Sequence, residues 1–403
     1  MEIRKGGRNR SGANLEGASE HNRRVVLDRL RLRGPMSRAD LARESSLTVQ
    51  TVSNIVESLA AVGLVAAGPR SVIKRGKPAE LYNIAPTGGY AIGIHIDHYE
   101  TRGVLVDLCG SVLRQTTERL SENDLDAREA IIVDNVKKLH AAIPRGGTGK
   151  LLGIGVAAPG PFGPGADAIT SPGASWIAHV EDICRSIEAA TGHAVQLEND
   201  AAMAAVGERM QGAARGLDNF ALVFIGRGFG CAFFANGEAC RGAMGNAGEL
   251  GMLPIEMFGP AIPGIATLEW LFSLEGLCRR LDLDPADEKI HEKLISAPQG
   301  AGTALSGWIS DAAVRLRHLV ALIEASFDPE TVVVGGHLPQ VILDEIMRET
   351  EPLVPTLSRH ADRRLPRIIG GSTGQWSVAM GAALEPIERI FAPSFDALLK
   401  KFG

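Results

Sequence analysis

Two sets of residues in this chain have the types and spacing to do chemistry. The first is Gln50, Thr51, Ser53 and Asn54, with Glu57, short polar side chains that a helix would carry together on one side. Gln and Asn each pair a donor with an acceptor, which matches the edge that adenine presents in the major groove of DNA. The second holds carboxylates in three short motifs that the sequence alone does not join: Asp200 in Glu198-Asn199-Asp200, Glu249 in Gly248-Glu249-Leu250-Gly251, and Glu269 in Leu268-Glu269. Converging on a neutral polyol, such acids orient it through charge-assisted hydrogen bonds, and Asp200 can also take a hydroxyl's proton during phosphoryl transfer. Each set has a plainer reading beside it. The polar face can be a solvated helix surface, Asp200 a helix cap, and the two glutamates solvated side chains.

The elements that must position the first set are legible. Ser37-Arg38-Ala39-Asp40 has the capping-box pattern, so a short helix starts there. After Glu44-Ser45-Ser46, Thr48 caps a second helix whose Val52, Ile55, Val56 and Leu59 fall at i, i+3, i+4 and i+7. Burying that stripe turns Gln50, Asn54 and Glu57 outward. Residues 22–33, with Val26, Leu27 and Leu30 inward and Gly34-Pro35 as a stop, complete a three-helix unit. Beyond Gly63, Leu64-Val65 and Val72-Ile73 bracket a turn at Gly68-Pro69, and Leu81–Ile84 closes the unit. Lys74-Arg75-Gly76-Lys77-Pro78 is a tight basic segment able to reach phosphates or a minor groove. Helix, turn, helix and basic wing is the order of a winged helix-turn-helix, and its expected DNA contacts are Arg38, Gln50, Thr51, Ser53, Asn54, Arg75 and Lys77.

Charge supports that division. The 403 residues carry a net charge of −5, but residues 1–85 hold fifteen Lys and Arg against eight Asp and Glu, a balance of +7 that leaves −12 on the remainder. A basic reader joined to an acidic body fits nucleic-acid binding by one end only. Residues 1–20, rich in Gly, Asn, Ser and Arg, read as a disordered tail, 21–85 as the DNA-binding domain, and 85–89 as a linker. The five cysteines contain no C-x-x-C pair and read as reduced thiols of a cytoplasmic protein. No apolar run approaches the roughly 20 residues of a membrane helix and the N-terminus lacks a signal-peptide core, so no membrane partner is expected.

The body reads as α/β. Strands at 90–97, 103–107 and from Ser111, a helix at 127–143 and a strand at 151–157 leading to Pro159-Gly160-Pro161 suggest a mixed sheet with helices on its faces. The strand 194–197 delivers Glu198-Asn199-Asp200 to a helix over 201–208. Ile225-Gly-Arg-Gly-Phe-Gly230, between strands 220–224 and 231–235, either cradles phosphate or closes a hairpin. Trp176 is open between stacking on a sugar face and packing in a core. Further on come a helix at 304–326, a strand at 331–336, and last helices near 374–384 and 394–401.

Several motifs in fixed order carry a resemblance: Ser37-Arg-Ala-Asp-Leu-Ala42, Arg75-Gly-Lys-Pro78, Gly155-Val-Ala-Ala-Pro-Gly160, Glu198-Asn-Asp200, Gly248-Glu-Leu-Gly251, Leu268-Glu269, Gly335-Gly336 and Gly381-Ala-Ala383. From about Asn22 to Ala383 the chain resembles the ROK family, which groups bacterial repressors of sugar genes with sugar kinases, and the match is to its repressor branch. The resemblance implies an α+β winged helix-turn-helix followed by a two-lobed actin-like, ribonuclease H-like ATPase fold, the lobes spanning 88–200 and 201–403. It implies a sugar site of Asn199, Asp200, Glu249 and Glu269, in which the aspartate matches the kinases' general base.

Departures from the family pattern limit the chemistry it implies. Where the kinases read Asp-x-Gly-Gly-Thr, this chain has His95-Ile96-Asp97-His98-Tyr99, and Arg227 replaces a hydroxyl residue between two glycines. Bulky side chains there keep backbone from phosphate, so ATP binding is expected to be lost or badly impaired, with no catalytic residue and no cofactor. Met252 replaces the family's zinc-binding histidine and residues 257–267 contain no cysteine, so no metal is expected. The expected protein is a transcriptional regulator, a repressor of sugar-utilisation genes. Its partners would be operator DNA and a sugar effector, and its assembly a homodimer or a dimer of dimers. The competing readings are an active sugar kinase with an appended DNA-binding domain, and a DNA-binding protein whose body only dimerises.

Overall fold

The computed structural model describes residues 15–70, 79–121, 124–144, 149–160, 175–243, 245–298, 300–358 and 362–391. The chain begins with a small helical head formed by α1 (Leu15–Arg33), β1 (Met36–Ser37), α2 (Arg38–Ser45), α3 (Val49–Ala61), β2 (Val65–Arg70) and β3 (Glu80–Ile84). Helix α1 starts at Leu15, so the stretch read as a disordered tail is helical from that residue on, and residues 1–14 lie outside those described. Ser37 Oγ accepts the Asp40 amide at 3.2 Å and donates to the Asp40 carboxylate at 2.7 Å, which starts α2 as the capping pattern requires. Thr48 accepts the Thr51 amide at 3.1 Å and starts α3. Val52, Ile55, Val56 and Leu59 are all buried, with Val26, Leu27, Leu30 and Leu41 from the other two helices.

Three short antiparallel strands in the order β1-β3-β2 close the head. Gly68 and Pro69 do not make the expected turn. They lie inside β2, where the register slips between Ala67 and Arg70 and spares the proline a ladder bond that it cannot donate. The expected strand at Val72-Ile73 and the basic segment with Arg75 and Lys77 fall outside the described residues.

The body repeats one topology twice. Its first sheet has the order β6-β5-β4-β7-β8, built from β4 (Gly89–Ile96), β5 (Glu100–Asp107), β6 (Val112–Arg119), β7 (Lys150–Ala158) and β8 (Val195–Asn199). Strands β4 to β6 are antiparallel, while β7 and β8 add in parallel. The second sheet, β11-β10-β9-β12-β13, follows the same rule with β9 (Phe220–Ile225), β10 (Phe229–Ala235), β11 (Glu238–Ala239), β12 (Thr331–Gly336) and β13 (Ile368–Gly370). Helices α4 (Leu125–Ala141) and α5 (Val180–Thr191) cover the outer face of the first sheet. The second sheet's outer face is covered by α7 (Leu268–Phe272), α8 (Leu274–Leu281), α9 (Ile290–Ser296), α10 (Ala304–Phe327) and α11 (Gln340–Thr350). Among the described residues no helix is long and apolar enough to cross a membrane.

Two helices, α6 (Asp200–Gln211) and α12 (Ser377–Phe391), pack against each other and join the halves. Helix α12 lies on the first sheet, although it is the last element among the described residues. The expected helix at 394–401 lies outside the described residues. Missing side chains permit the contact: a Cβ on Gly93 of β4 would come 2.0 Å from the Ala379 carbonyl oxygen, and one on Gly155 of β7 would come 2.0 Å from that of Ala382. Between the two helices the margin is tighter, because a Cβ on Gly381 would sit 1.7 Å from the Met203 carbonyl oxygen. Gly381→Ala therefore forces α6 and α12 apart, and urea denaturation is expected to show a loss of about 3 kcal/mol. An unchanged midpoint would refute this packing.

Candidate functional site

The acids converge where β8 runs into α6. Asn199 caps α6, its Oδ1 accepting the Ala201 amide at 2.8 Å and the Ala202 amide at 3.3 Å, and Asp200 Oδ1 accepts the Ala201 amide at 2.7 Å. Both residues thus do the work of a cap as well as facing the cleft. Gly160, at the end of the β7 turn, brings Asn199 and Glu249 together, since a Cβ there would come 2.8 Å from Asn199 Nδ2 and 3.1 Å from Glu249 Oε1. Glu269, in the first turn of α7, lies beside the β9–β10 turn, where a Cβ on Gly228 would come 3.4 Å from its Oε1. Four residues expected from the sequence therefore gather at one place, from three separate segments.

Their proximity shows in their acidity. Burial first, and then the charges of Asp97 and Glu249, push Asp200 up to about 7 against the opposing Ala201 hydrogen bond. Burial and Glu269 push Glu249 up to about 7, and burial and Asp200 do the same to Glu269. Asp200 keeps part of its surface open to solvent although protein surrounds it densely. Three acids so placed share protons near neutrality.

The β4–β5 hairpin forms the adjoining wall. Asp97 is 3% exposed and faces Arg227 Nε at 3.5 Å and His337 Nδ1 at 3.8 Å. Burial pushes its carboxyl up, but the His98 hydrogen bond and the Arg227 charge outweigh that and hold it well below the usual carboxylate range. Arg227 lies over the Tyr99 ring at 4.5 Å and donates to the Pro285 carbonyl at 2.5 Å, while Tyr99 Oη donates to Glu275 at 3.3 Å. His95 is 1% exposed, and burial lowers its pKa to about 4. These contacts tie the first sheet's hairpin to the second half of the body across the cleft. Trp176 is 4% exposed, edge-on to His98 and beneath the Arg128 guanidinium at 4.1 Å, so it packs in the core of the first half rather than offering an open stacking face.

The head places its polar residues as α3 requires. Gln50 and Asn54 are exposed, Thr51 and Ser53 half-buried, and Gln50 Nε2 donates to Asn54 Oδ1 at 3.0 Å. Arg38 faces Glu57 at 3.5 Å and lies over the Tyr82 ring at 5.0 Å, with part of its side chain exposed. Sequence reasoning passed over Gly160, His98 and His337 as members of the site. The Pro-Gly-Pro bracket was a signal for Gly160, whereas nothing local marks His337, which arrives from the end of β12.

Two topologically equivalent sheets joined by a pair of helices, with acids gathered in the cleft, define a two-lobed actin-like α/β protein with a helical head. The chain belongs to the ROK family, whose model matches residues 91–385. It is 28% identical over 239 residues to the xylose repressor of Bacillus subtilis (strain 168), an overlap of 59% of this chain and 62% of that protein. It is 33% identical over 194 residues to a beta-glucoside kinase of Listeria monocytogenes, covering 46% of this chain and 64% of the kinase. Both matches thus span less than two thirds of the relative's length. Among solved structures, a ROK family transcriptional regulator described as a homologue of the E. coli MLC protein superposes with a TM-score of 0.67 at 22% identity, covering 95% of this chain and 98% of that one. The relatives therefore include both repressors and kinases, and the structural likeness is one of fold.

The crowding has a measurable sign. A carboxylate raised from 3.8 or 4.5 to about 7 keeps its proton in the folded chain after the unfolded chain has lost it. The unfolded state then binds fewer protons than the native state between about pH 5 and 7, so stability falls as pH rises through that window. Glu249→Gln removes one charge from the cluster. Without ligand it is expected to melt higher than wild type at pH 8 and level with it at pH 5, and an equal gain at both pH values would refute the shared-proton picture.

Proposed function

We propose that this chain is a sugar-responsive DNA-binding regulator, a repressor of sugar-utilisation genes that acts in the cytoplasm as a homodimer or a dimer of dimers. In this reading residues 21–85 are a winged helix-turn-helix whose α3 enters the major groove. Gln50, Thr51, Ser53 and Asn54 meet base edges there, while Arg38, Arg75 and Lys77 hold the backbone. The lobes at 88–200 and 201–403 bind a sugar through Asn199, Asp200, Glu249 and Glu269. The likeness to a xylose repressor and to a ROK regulator supports this.

One observation carries the coupling. Helix α6 bears Asp200 at its first residue and Met210 and Gln211 at its last two, a span of about 18 Å. At that far end Arg31 Nη1 of α1 reaches Met210 Sδ at 3.3 Å, and Gln211 Nε2 donates to the Gly110 carbonyl at 2.6 Å. The acid cluster and the head thus share one rigid element. A sugar that favours one setting of α6 biases the head's orientation and so the spacing of two reading helices in a dimer.

A second reading, an active sugar kinase with a DNA-binding head, is favoured by Asp200, whose raised pKa suits a general base. The bulky His95–Tyr99 segment and Arg227 oppose it, and release of a phosphorylated sugar from ATP and any hexose would establish it.

The regulator reading is tested by gel shift on DNA flanking the chain's own gene, at stated salt, with and without a panel of sugars. Wild-type protein is expected to bind one fragment specifically and to change affinity with one sugar. Asp200→Ala should abolish the sugar response and leave DNA binding intact, and loss of both together would overturn the assignment. Asn54→Ala should cost about 1–3 kcal/mol of discrimination between cognate and mutated operator.

A further inference from the structure

The wall beside the acid cluster carries a residue with no counterpart among the four proposed sugar ligands. His98 sits at the tip of the β4–β5 hairpin with its backbone amide donating to Asp97 Oδ1 at 2.7 Å and its ring Nδ1 3.4 Å from the same oxygen. The Trp176 ring meets it edge-on at a centroid distance of 5.6 Å. These contacts fix the ring's orientation. The next residue, Tyr99, donates to Glu275 and lies under Arg227, whose neighbour Gly228 stands against Glu269, so the hairpin tip faces the same cleft as the acids. Among the described residues its Nε2 makes no hydrogen bond.

We propose that His98 contacts the ligand and sets its class: it accepts a hydrogen bond from a hydroxyl of an uncharged sugar, and the site rejects the same sugar carrying a phosphate or carboxylate. This rests on the reading of the acid cluster as a sugar site.

Three observations lead there. Asp97 is ionised and only accepts, so the proton between it and the imidazole lies on Nδ1, and in the neutral ring Nε2 is left as an acceptor. A hydroxyl satisfies an acceptor, whereas the oxygens of a phosphate dianion or a carboxylate have no proton to give. The ring's neighbours on the cleft side, Asp200 and Glu269, are acids as well, so an anion entering there meets like charge. Finally, the cations that could neutralise it are engaged and buried. Arg227 is held by Asp97, Tyr99 and the Pro285 carbonyl, Arg128 donates to the carbonyls of His98 and Ser121, and Arg102 is paired with Glu100. Their side chains cannot turn to an anion without leaving Asp97, Glu100 or backbone carbonyls unpaired in a buried setting.

The test is calorimetric titration of the full chain with D-glucose, D-xylose and N-acetyl-D-mannosamine, and with glucose 6-phosphate and N-acetylmannosamine 6-phosphate. Wild-type protein is expected to bind at least one neutral sugar and to bind its phosphate ester at least about 100-fold more weakly, a comparison that needs no variant. His98→Ala should weaken the neutral sugar about tenfold, and His98→Gln, whose amide oxygen can also accept, should recover most of that loss. An ester that binds wild type as tightly as its parent sugar, or neutral-sugar affinity within about twofold of wild type in both His98 variants, overturns the inference. Wild-type affinity retained in His98→Ala and His98→Gln, with binding lost in Asp200→Ala, overturns this inference alone. Failure of wild-type protein to bind any of the five probes overturns the sugar-responsive reading with it.

Discussion

The backbone-to-backbone approach of α6 and α12 is the contact on which the rest of the molecule depends. Interiors pack at crystal-like density, so two helices come this close only where a side chain is missing. Gly381 supplies that gap against Met203, and Gly93 and Gly155 let α12 settle onto the first sheet in the same way. The consequence is geometric. The N-terminus of α6 holds two of the clustered polar residues, its C-terminus meets α1 of the head, and its flank is locked to the helix that carries the first sheet. A displacement at one end of α6 cannot be absorbed locally, because its neighbours have no slack. That rigidity gives the proposed sugar response a physical route to the head.

Charge is distributed across the cleft in two contrasting ways. On one side Asp200, Glu249 and Glu269 face one another, and burial together with mutual repulsion raises all three to about 7 against the weaker opposing influence of His98 on Asp200 and Glu269. On the other, Asp97 is surrounded by Arg227, His98 and His337 and stays ionised. The first arrangement leaves acceptors waiting for donors, which is what a polyol brings. The second is closed on itself, and its partners come from both lobes, so it stiffens the cleft while adding no vacancy. Side chains thus fill that wall.

The head was the most legible part of the chain, and the reason is local. Capping at Ser37 and Thr48 and the stripe Val52, Ile55, Val56 and Leu59 are decided within a few residues, and the structure reproduces them. Gly68-Pro69 went the other way. The dipeptide's turn preference is a local bias, and pairing of β2 with β3 outweighed it by placing the proline at an irregularity in the ladder. In the body, periodicity gave the strands their places but not their partners. That β4 to β6 run antiparallel while β7 and β8 add in parallel, and that the second sheet repeats this, depends on pairings beyond the reach of local pattern, as where β12 joins β9 from more than a hundred residues along the chain.

The site divides along the same line. Asn199, Asp200, Glu249 and Glu269 could be named through the family resemblance that their short motifs carry, whereas each motif alone fits a helix cap or a solvated side chain. Their acidity could not, since a carboxylate is pushed up only by burial and by neighbours that folding brings close. Nor could the fate of Trp176, which the sequence left between ligand and core and which the packing of Arg128 and His98 around it places in the core. By itself the sequence determined the local geometry of the head, because backbone propensity and capping act over a few residues, and it marked the four clustered residues through motifs that carry a family resemblance. Only the tertiary structure decided that His98 stands beside those acids, that Arg227 and His337 serve Asp97, and that α6 reaches the head, because each is a contact between segments far apart in the chain.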